Sequence, residues 1–126
     1  MAKTYWNIAN LQTAQNNLDG SLENYGKAVE IYQQLAIDEP DNSRHLRNVA
    51  LTNKNIGSVL QLRGNYENAL AHFQKSLSID SENATKNPND VSAQLDLSFT
   101  YGTIASALRD AKNFKAQSKI TKKPSK

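Results

Sequence analysis

From Asp41 onward the apolar residues Leu46, Val49, Ile56, Val59 and Leu60 stand three, four or seven positions apart. That spacing gathers side chains on one face of an α-helix. Gly64-Asn65 breaks the pattern as a helix-ending glycine does. A second periodic stretch follows, with Leu70, Phe73, Leu77 and Ile79 apolar and Asn68, His72, Lys75 and Ser78 on the outside. It is expected to fade near Asn83, because Asn87-Pro88 disfavours helix at residue 87. After Pro88, Asn89-Asp90 supply an N-cap and a first-turn acid, and Pro40-Asp41-Asn42 do the same earlier in the chain. The first helix of such a pair, at roughly 20 residues, spans about 30 Å. No stretch sustains two-residue alternation, so the pattern predicts an all-α fold.

The pattern repeats. Asn7-Ile8-Ala9, Asn55-Ile56-Gly57 and Thr103-Ile104-Ala105 recur at one constant offset, a period of about 48 residues. The same offset aligns Asn17 with Asn65, Leu22 with Leu70, Lys27 with Lys75, Ile31 with Ile79, Pro40 with Pro88 and Thr52 with Thr100. Tyr25 meets Phe73 and Ala28 meets Ser76 in the same register, without a gap. This divides the chain into units 5–52, 53–100 and a partial 101–117, one solenoid over 1–117, followed by a basic tail at 118–126 that is expected to be disordered.

Charge changes the picture only once it is located. The 126 residues carry a formal net charge of +3 and a sequence pI of about 9.2, which invites a nucleic-acid reading. Yet residues 1–111 hold nine of the 15 bases and all 12 acids, and the six remaining bases are lysines between Lys112 and Lys126. The basicity belongs to the end of the chain, where a solubilising tail is the simplest reading. Nucleic acid and membrane are therefore not expected partners. The absence of cysteine excludes disulfides and thiol chemistry and fits a reducing, cytoplasmic setting. Nothing resembles a signal peptide, and no window approaches the roughly 18 apolar residues of a membrane span.

These residues resemble the tetratricopeptide repeat, a two-helix hairpin with a small residue where the helices touch. The second unit carries the likeness best, in Ile56-Gly57, Leu60, Gly64-Asn65-Tyr66, Ala69-Leu70, Phe73, Ser76-Leu77 and Ile79. The first unit offers Tyr5, Ile8-Ala9, Ser21-Leu22, Tyr25, Ala28-Val29 and Ile31. The third begins as Tyr101, Ile104-Ala105, Leu108 and Asn113-Phe114, then loses the pattern. The usual unit has about 34 residues; here the extra length resembles extended repeats of bacterial multidomain signalling proteins. The resemblance implies a right-handed α-α superhelix of about five helices plus a degenerate sixth. It also implies a non-catalytic protein-interaction scaffold whose first helices line a concave groove.

By that resemblance the partner-binding groove comprises Trp6, Asn10 and Thr13, then Lys54, Asn55, Ser58 and Gln61, then Thr103, Ser106 and Arg109. Amides and hydroxyls there suit an extended peptide backbone, since both donate and accept; the plainer reading is a set of solvated helix residues. Some family members grip a terminal carboxylate with cations. The corresponding positions here are Trp6, Asn10, Ser58, Phe99 and Thr103, without a cation, so an anionic chaperone C-terminus is not the expected ligand. Trp6 serves either as an aromatic anchor or as cover for the end of the solenoid.

No catalytic constellation is visible, and no cofactor or metal is expected. His45 and His72 lie far apart in the sequence, on a first and a second helix. Asp41, one helical turn before His45, is a helix-start acid, and Asp38-Glu39 adjoin the turn at Pro40. Asp80 and Glu82 fall near a helix end, and no phosphate loop, nucleophile elbow or HExxH occurs. Asn83-Ala84-Thr85 reads as an accidental glycosylation triplet. The third first-helix, with Leu95, Leu97, Phe99, Tyr101, Ile104, Ala107 and Leu108, is apolar on more than one face. That surface and the abrupt start at Met1 suggest a segment of a longer array or a protein that self-associates through an uncapped repeat.

Overall fold

The computed structural model describes residues 1–121, with side chains as far as Ser118. Five helices make up this span: α1 (Ala2–Ala14), α2 (Leu18–Asp38), α3 (Ser43–Leu62), α4 (Tyr66–Lys86) and α5 (Val91–Thr121), with no strand among the described residues. Each helix packs chiefly against the next in sequence, which is how stacked hairpins bury their apolar faces. None of the described helices is long and apolar enough to cross a membrane.

Local chemistry sets most of the helix ends. Asn17, Asn42 and Asp90 stand at helix starts, where their side-chain oxygens accept from the backbone N–H of Gly20, Arg44 and Ser92 respectively. The hairpin turns α1–α2 and α3–α4 share one geometry. Asn16 and Gly64 both adopt positive φ, +62° and +79°. Around them Asn17 N–H bonds Gln12 O and Asn65 N–H bonds Leu60 O, at 2.8 and 2.9 Å. This double closure with a left-handed residue is the Schellman ending of a helix.

Position 112, the third in this register, is lysine. A lysine in the left-handed region carries a steric cost of about 1–2 kcal/mol that glycine escapes, whereas lysine is a good helix former. Helix α5 accordingly runs straight through Lys112, Asn113 and Phe114 to Thr121. No sixth helix therefore packs back among the described residues, and the tail anticipated from residue 118 is still helical to 121. Residues 122–126, and with them Lys122, Lys123 and Lys126, lie outside the described residues. Helix α4 also outlasts expectation. It reaches Lys86, where Asn87 N–H still bonds Asn83 O at 3.0 Å, and stops only at the Asn87-Pro88 junction itself.

Two small cores hold the helices together. One joins Ala9, Tyr25, Ile56 and Val59, with Trp6, Leu22 and Leu60 at its edges; the other joins Ala69, Phe73 and Ala107, again with Leu60 alongside. Small residues make room for rings in both. A Cβ built on Gly57 would lie 2.5 Å from Phe73 Cε1, so the ring occupies the space a side chain would need. At the equivalent position of the first hairpin Ala9 is fully buried beside Tyr25, whose hydroxyl donates to Asn10 Oδ1.

A polar junction locks three helices together. Lys54 on α3 and Asp80 on α4 are both buried and pair at 3.2 Å, and Thr100 on α5 donates to the same carboxylate oxygen at 2.5 Å. A buried pair of this kind contributes little net stability over an apolar replacement. Removing one partner is costly, because a charge is left stranded.

Candidate functional site

Helices α3 and α5 lie side by side, joined by two side-chain rungs. Arg47 Nε donates to Asp96 Oδ2 at 2.7 Å near one end, and Gln61 Nε2 donates to Asp110 Oδ2 at 2.6 Å near the other. From Arg47 to Gln61 the helix rises about 21 Å. The hydrogen bond to Asp96 holds the Arg47 guanidinium even more firmly in its charged form than usual.

Within this stretch a cavity of about 410 Å³ opens, lined by Ser58, Gln61, Phe99, Gly102, Thr103 and Ser106. Its lining carries no formal charge. Four of the six are residues that the sequence places in the groove. Asn55 is one turn before Ser58 on α3; its Nδ2 is buried and has no hydrogen-bond partner among the described residues. A buried donor without an acceptor costs about 1–3 kcal/mol; Asn55 does not line the cavity. Phe99 is 64% exposed, with the Lys54 ammonium 5.5 Å from its ring centre. Thr103 turns its hydroxyl inward to Phe99 O at 2.9 Å.

The other groove candidates fall elsewhere. Thr13 bridges Ala9 O and Ser21 Oγ, at 2.9 and 2.5 Å, and Asn10 takes the Tyr25 hydroxyl, so both spend their polar atoms on α2. Trp6 packs half-buried at the edge of the first core, its Nε1 buried and without a partner among the described residues. Lys54 is withdrawn by Asp80. Arg109 stands exposed, outside the cavity lining.

Two lining residues escaped the sequence reading as site positions. Phe99 counted only as a clamp position without a cation and as part of an apolar face. Gly102 gave a signal that could have been used: glycine inside a helix costs about 0.8–1.0 kcal/mol against alanine and often marks a close approach. A Cβ on Gly102 would have no neighbour within 4 Å, so nothing in the chain's own packing requires the glycine.

The histidines lie outside this cavity. His72 Nδ1 pairs with Asn53 Oδ1 at 2.8 Å, and burial, with Lys75 nearby, pulls its pKa below the ordinary 6.5. His45 pairs with Glu39 at 2.8 Å rather than with Asp41, and its hydrogen bond lowers the Glu39 pKa.

Successive helical hairpins in constant register, with a lined hollow between the first helices of neighbouring units, define an α-helical repeat protein. Residues 48–118 match a family model described as tetratricopeptide repeat, and residues 2–35 match a second of the same description. The chain belongs to the tetratricopeptide repeat family. Repeats of this family are generally non-catalytic protein-interaction scaffolds. No curated protein matches the chain.

Proposed function

We propose that this chain is a non-catalytic interaction module that takes an extended, uncharged stretch of a partner protein into the hollow between α3 and α5. The observation that carries this reading is the composition of the hollow: the Ser58 and Ser106 hydroxyls, with Thr103 Oγ1 and Gln61 Oε1 left as acceptors beside their bonds to Phe99 O and Asp110, surround the bare helix surface at Gly102. A peptide backbone needs donors and acceptors at close range, and a residue without a side chain admits it to van der Waals distance. Phe99 offers an exposed ring for an apolar side chain. Trp6, Asn10, Thr13, Lys54 and Arg109 hold or flank the scaffold in this reading and do not touch the ligand.

The test is selection of a random peptide library on the wild-type chain, followed by titration of the winners against Gly102→Leu. The new side chain meets open space in the folded protein and fills the hollow. Winning peptides should lose at least about tenfold in affinity, or about 1.4 kcal/mol. Equal affinity for both proteins, or no peptide enriched at all, would sink the reading. Self-association, the other use of the surface that the sequence suggests, rests on a different side of α5. A role for the basic end, Lys112 to Lys126, on nucleic acid or an anionic membrane finds exposed Lys112 and Lys115 among the described side chains, and the hollow favours a protein ligand.

A further inference from the structure

Helix α5 has two sides that α4 does not cover. One faces the hollow. The other carries Leu97, Tyr101, Ile104, Ala105 and Leu108, spaced so that they share one face. Tyr101, Ala105 and Leu108 are exposed, while Leu97 is half-buried and Ile104 packs at the edge of the Ala69–Phe73 core. Shifted back by one repeat these are Val49, Asn53, Ile56, Gly57 and Leu60 of α3. That is the face α4 covers, with Phe73 over Gly57, His72 on Asn53 and Ser76 donating to Ala50 O at 2.7 Å. On α5 the copy is open: Tyr101 is 55% and Leu108 53% exposed. Between Leu95 and Leu108 the only charged residue is Asp96, already paired with Arg47. A helix side meant for water carries charge; this one does not.

The chain's own next segment is a poor cover. Lys112 removes the turn that would fold it back, and the residues in register with Ala69, Leu70 and Phe73 are Gln117, Ser118 and Thr121, all polar. We infer that this side of α5 is a homodimer interface, in which α5 of a second copy packs antiparallel across a two-fold axis near Tyr101 and Ala105.

Three features select that occupant. The interface continues in register one that already exists between α3 and α4. The ends of the face differ in sign, with Asp90 before the first turn and Arg109, Lys112 and Lys115 beyond Leu108, against Glu67 at the cavity rim and Asp110, which is turned to Gln61. An antiparallel pair sets each basic end beside the partner's Asp90, whereas a parallel pair stacks lysine on lysine. The middle is uncharged, and small Ala105 lets the helix axes approach. Gln94 to Lys112 runs about 27 Å. At its basic end a cavity of about 740 Å³, lined by Tyr66, Leu70, Leu108, Phe114 and Lys115 among others, opens beside α5. In an antiparallel pair it receives Val91 of the second copy, 70% exposed in the single chain.

The chain contains no cysteine, so one introduced thiol reports its own neighbour. Ala105→Cys should form a covalent dimer with a short bis-maleimide, and Gln74→Cys, on exposed α4 surface, should not. By sedimentation equilibrium the wild type should dimerise reversibly. Ala105→Arg should weaken the dimer at least about tenfold while leaving helicity unchanged, since Ala105 is exposed in the single chain. Lys112→Glu with Lys115→Glu should weaken it further, and added salt should act in the same direction. A wild type that stays monomeric at about 500 μM, well above the Kd of a specific dimer, overturns the inference. So does dimerisation unaltered by Ala105→Arg, a tighter dimer in the double glutamate variant, or a face that binds only a different protein. Peptide capture at Gly102 is read separately, so failure of one proposal leaves the other standing.

Discussion

Helices α3 and α5 occupy the same register one repeat apart, yet α3 is covered on two sides and α5 on one. The difference traces to few residues. Gly64 ends α3 in a left-handed turn that brings Tyr66, Ala69 and Phe73 back across it. Lys112 lets α5 continue, and the helix keeps an apolar side that nothing in the described chain covers. A repeat protein is thus extended or closed by the residue at one turn position, together with what the following helix offers to pack.

The largest effect should come from the ring that makes α3 an interior helix. Phe73 is fully buried against Gly57 and Ala107. Phe73→Ala should cost about 3–5 kcal/mol, through lost apolar burial and the cavity left behind, read by urea denaturation of variant and wild type. Phe99→Ala, a like change on the open side of α5, should cost far less because Phe99 is mostly exposed. Equal losses would mean that α5 is as enclosed as α3.

The two glycines sharpen the contrast through the sign of one substitution. Gly57→Ala thrusts a methyl to 2.5 Å from the buried Phe73 ring and should destabilise by about 1–3 kcal/mol, the usual cost of overpacking. Gly102→Ala meets open space and should stabilise by about 0.5–1 kcal/mol, since alanine is the better helix former. Thermal melts at a concentration where the chain is monomeric would show both. Destabilisation by Gly102→Ala under those conditions would mean a neighbour for Gly102 within the single chain.

At the turn positions the exchange can be run in both directions. Gly64→Lys forces a lysine to a φ of +79° and should cost about 1–2 kcal/mol. Lys112→Gly should cost about 1 kcal/mol of helix propensity and speed amide exchange beyond residue 112. It should not recreate a hairpin, because Gln117 and Thr121 cannot replace Ala69 and Phe73 in the packing. A new packed helix after Lys112→Gly would show that the turn alone decides closure.

The repeat period, the proline boundaries and a helix start shortly after each proline were legible in the sequence because each is a local rule. Yet Asp90, a first-turn acid behind an Asn89 cap in the sequence pattern, is itself the cap, and α3 is capped by Asn42 with no acid in its first turn. The fate of the third unit was less legible: the likeness Asn113-Phe114 to Asn65-Tyr66 suggests a turn, while the decisive residue, Lys112, looks ordinary until its two register partners are seen at positive φ. The hollow was legible in part. Period and resemblance mark Ser58, Gln61, Thr103 and Ser106, but not that Asn10 is tied to Tyr25, or Lys54 to Asp80. Such partners sit on a neighbouring helix, and helical spacing cannot name them.

The smallest effect tests the covered side of α3 by pH. His72 reaches from α4 to Asn53 on α3, the residue in register with exposed Tyr101. Burial, and then Lys75, lower its pKa from the ordinary 6.5, so the folded chain favours the neutral ring. Above 6.5 the ring is neutral in both states and its contribution is intact. As pH falls below 6.5 the unfolded chain binds a proton more readily than the folded one, and stability is lost until the pH has passed the lowered folded value. Glu39, held down by its hydrogen bond to His45, contributes a separate decline below its ordinary 4.5. Urea titrations between pH 7.5 and about 5, above the range of Glu39, separate the two effects, and His72→Gln isolates the first. Wild type should lose stability across that window, and His72→Gln should lose less. A slope that survives His72→Gln unchanged would assign the titration to another group and leave the α3–α4 contact without a pH signature.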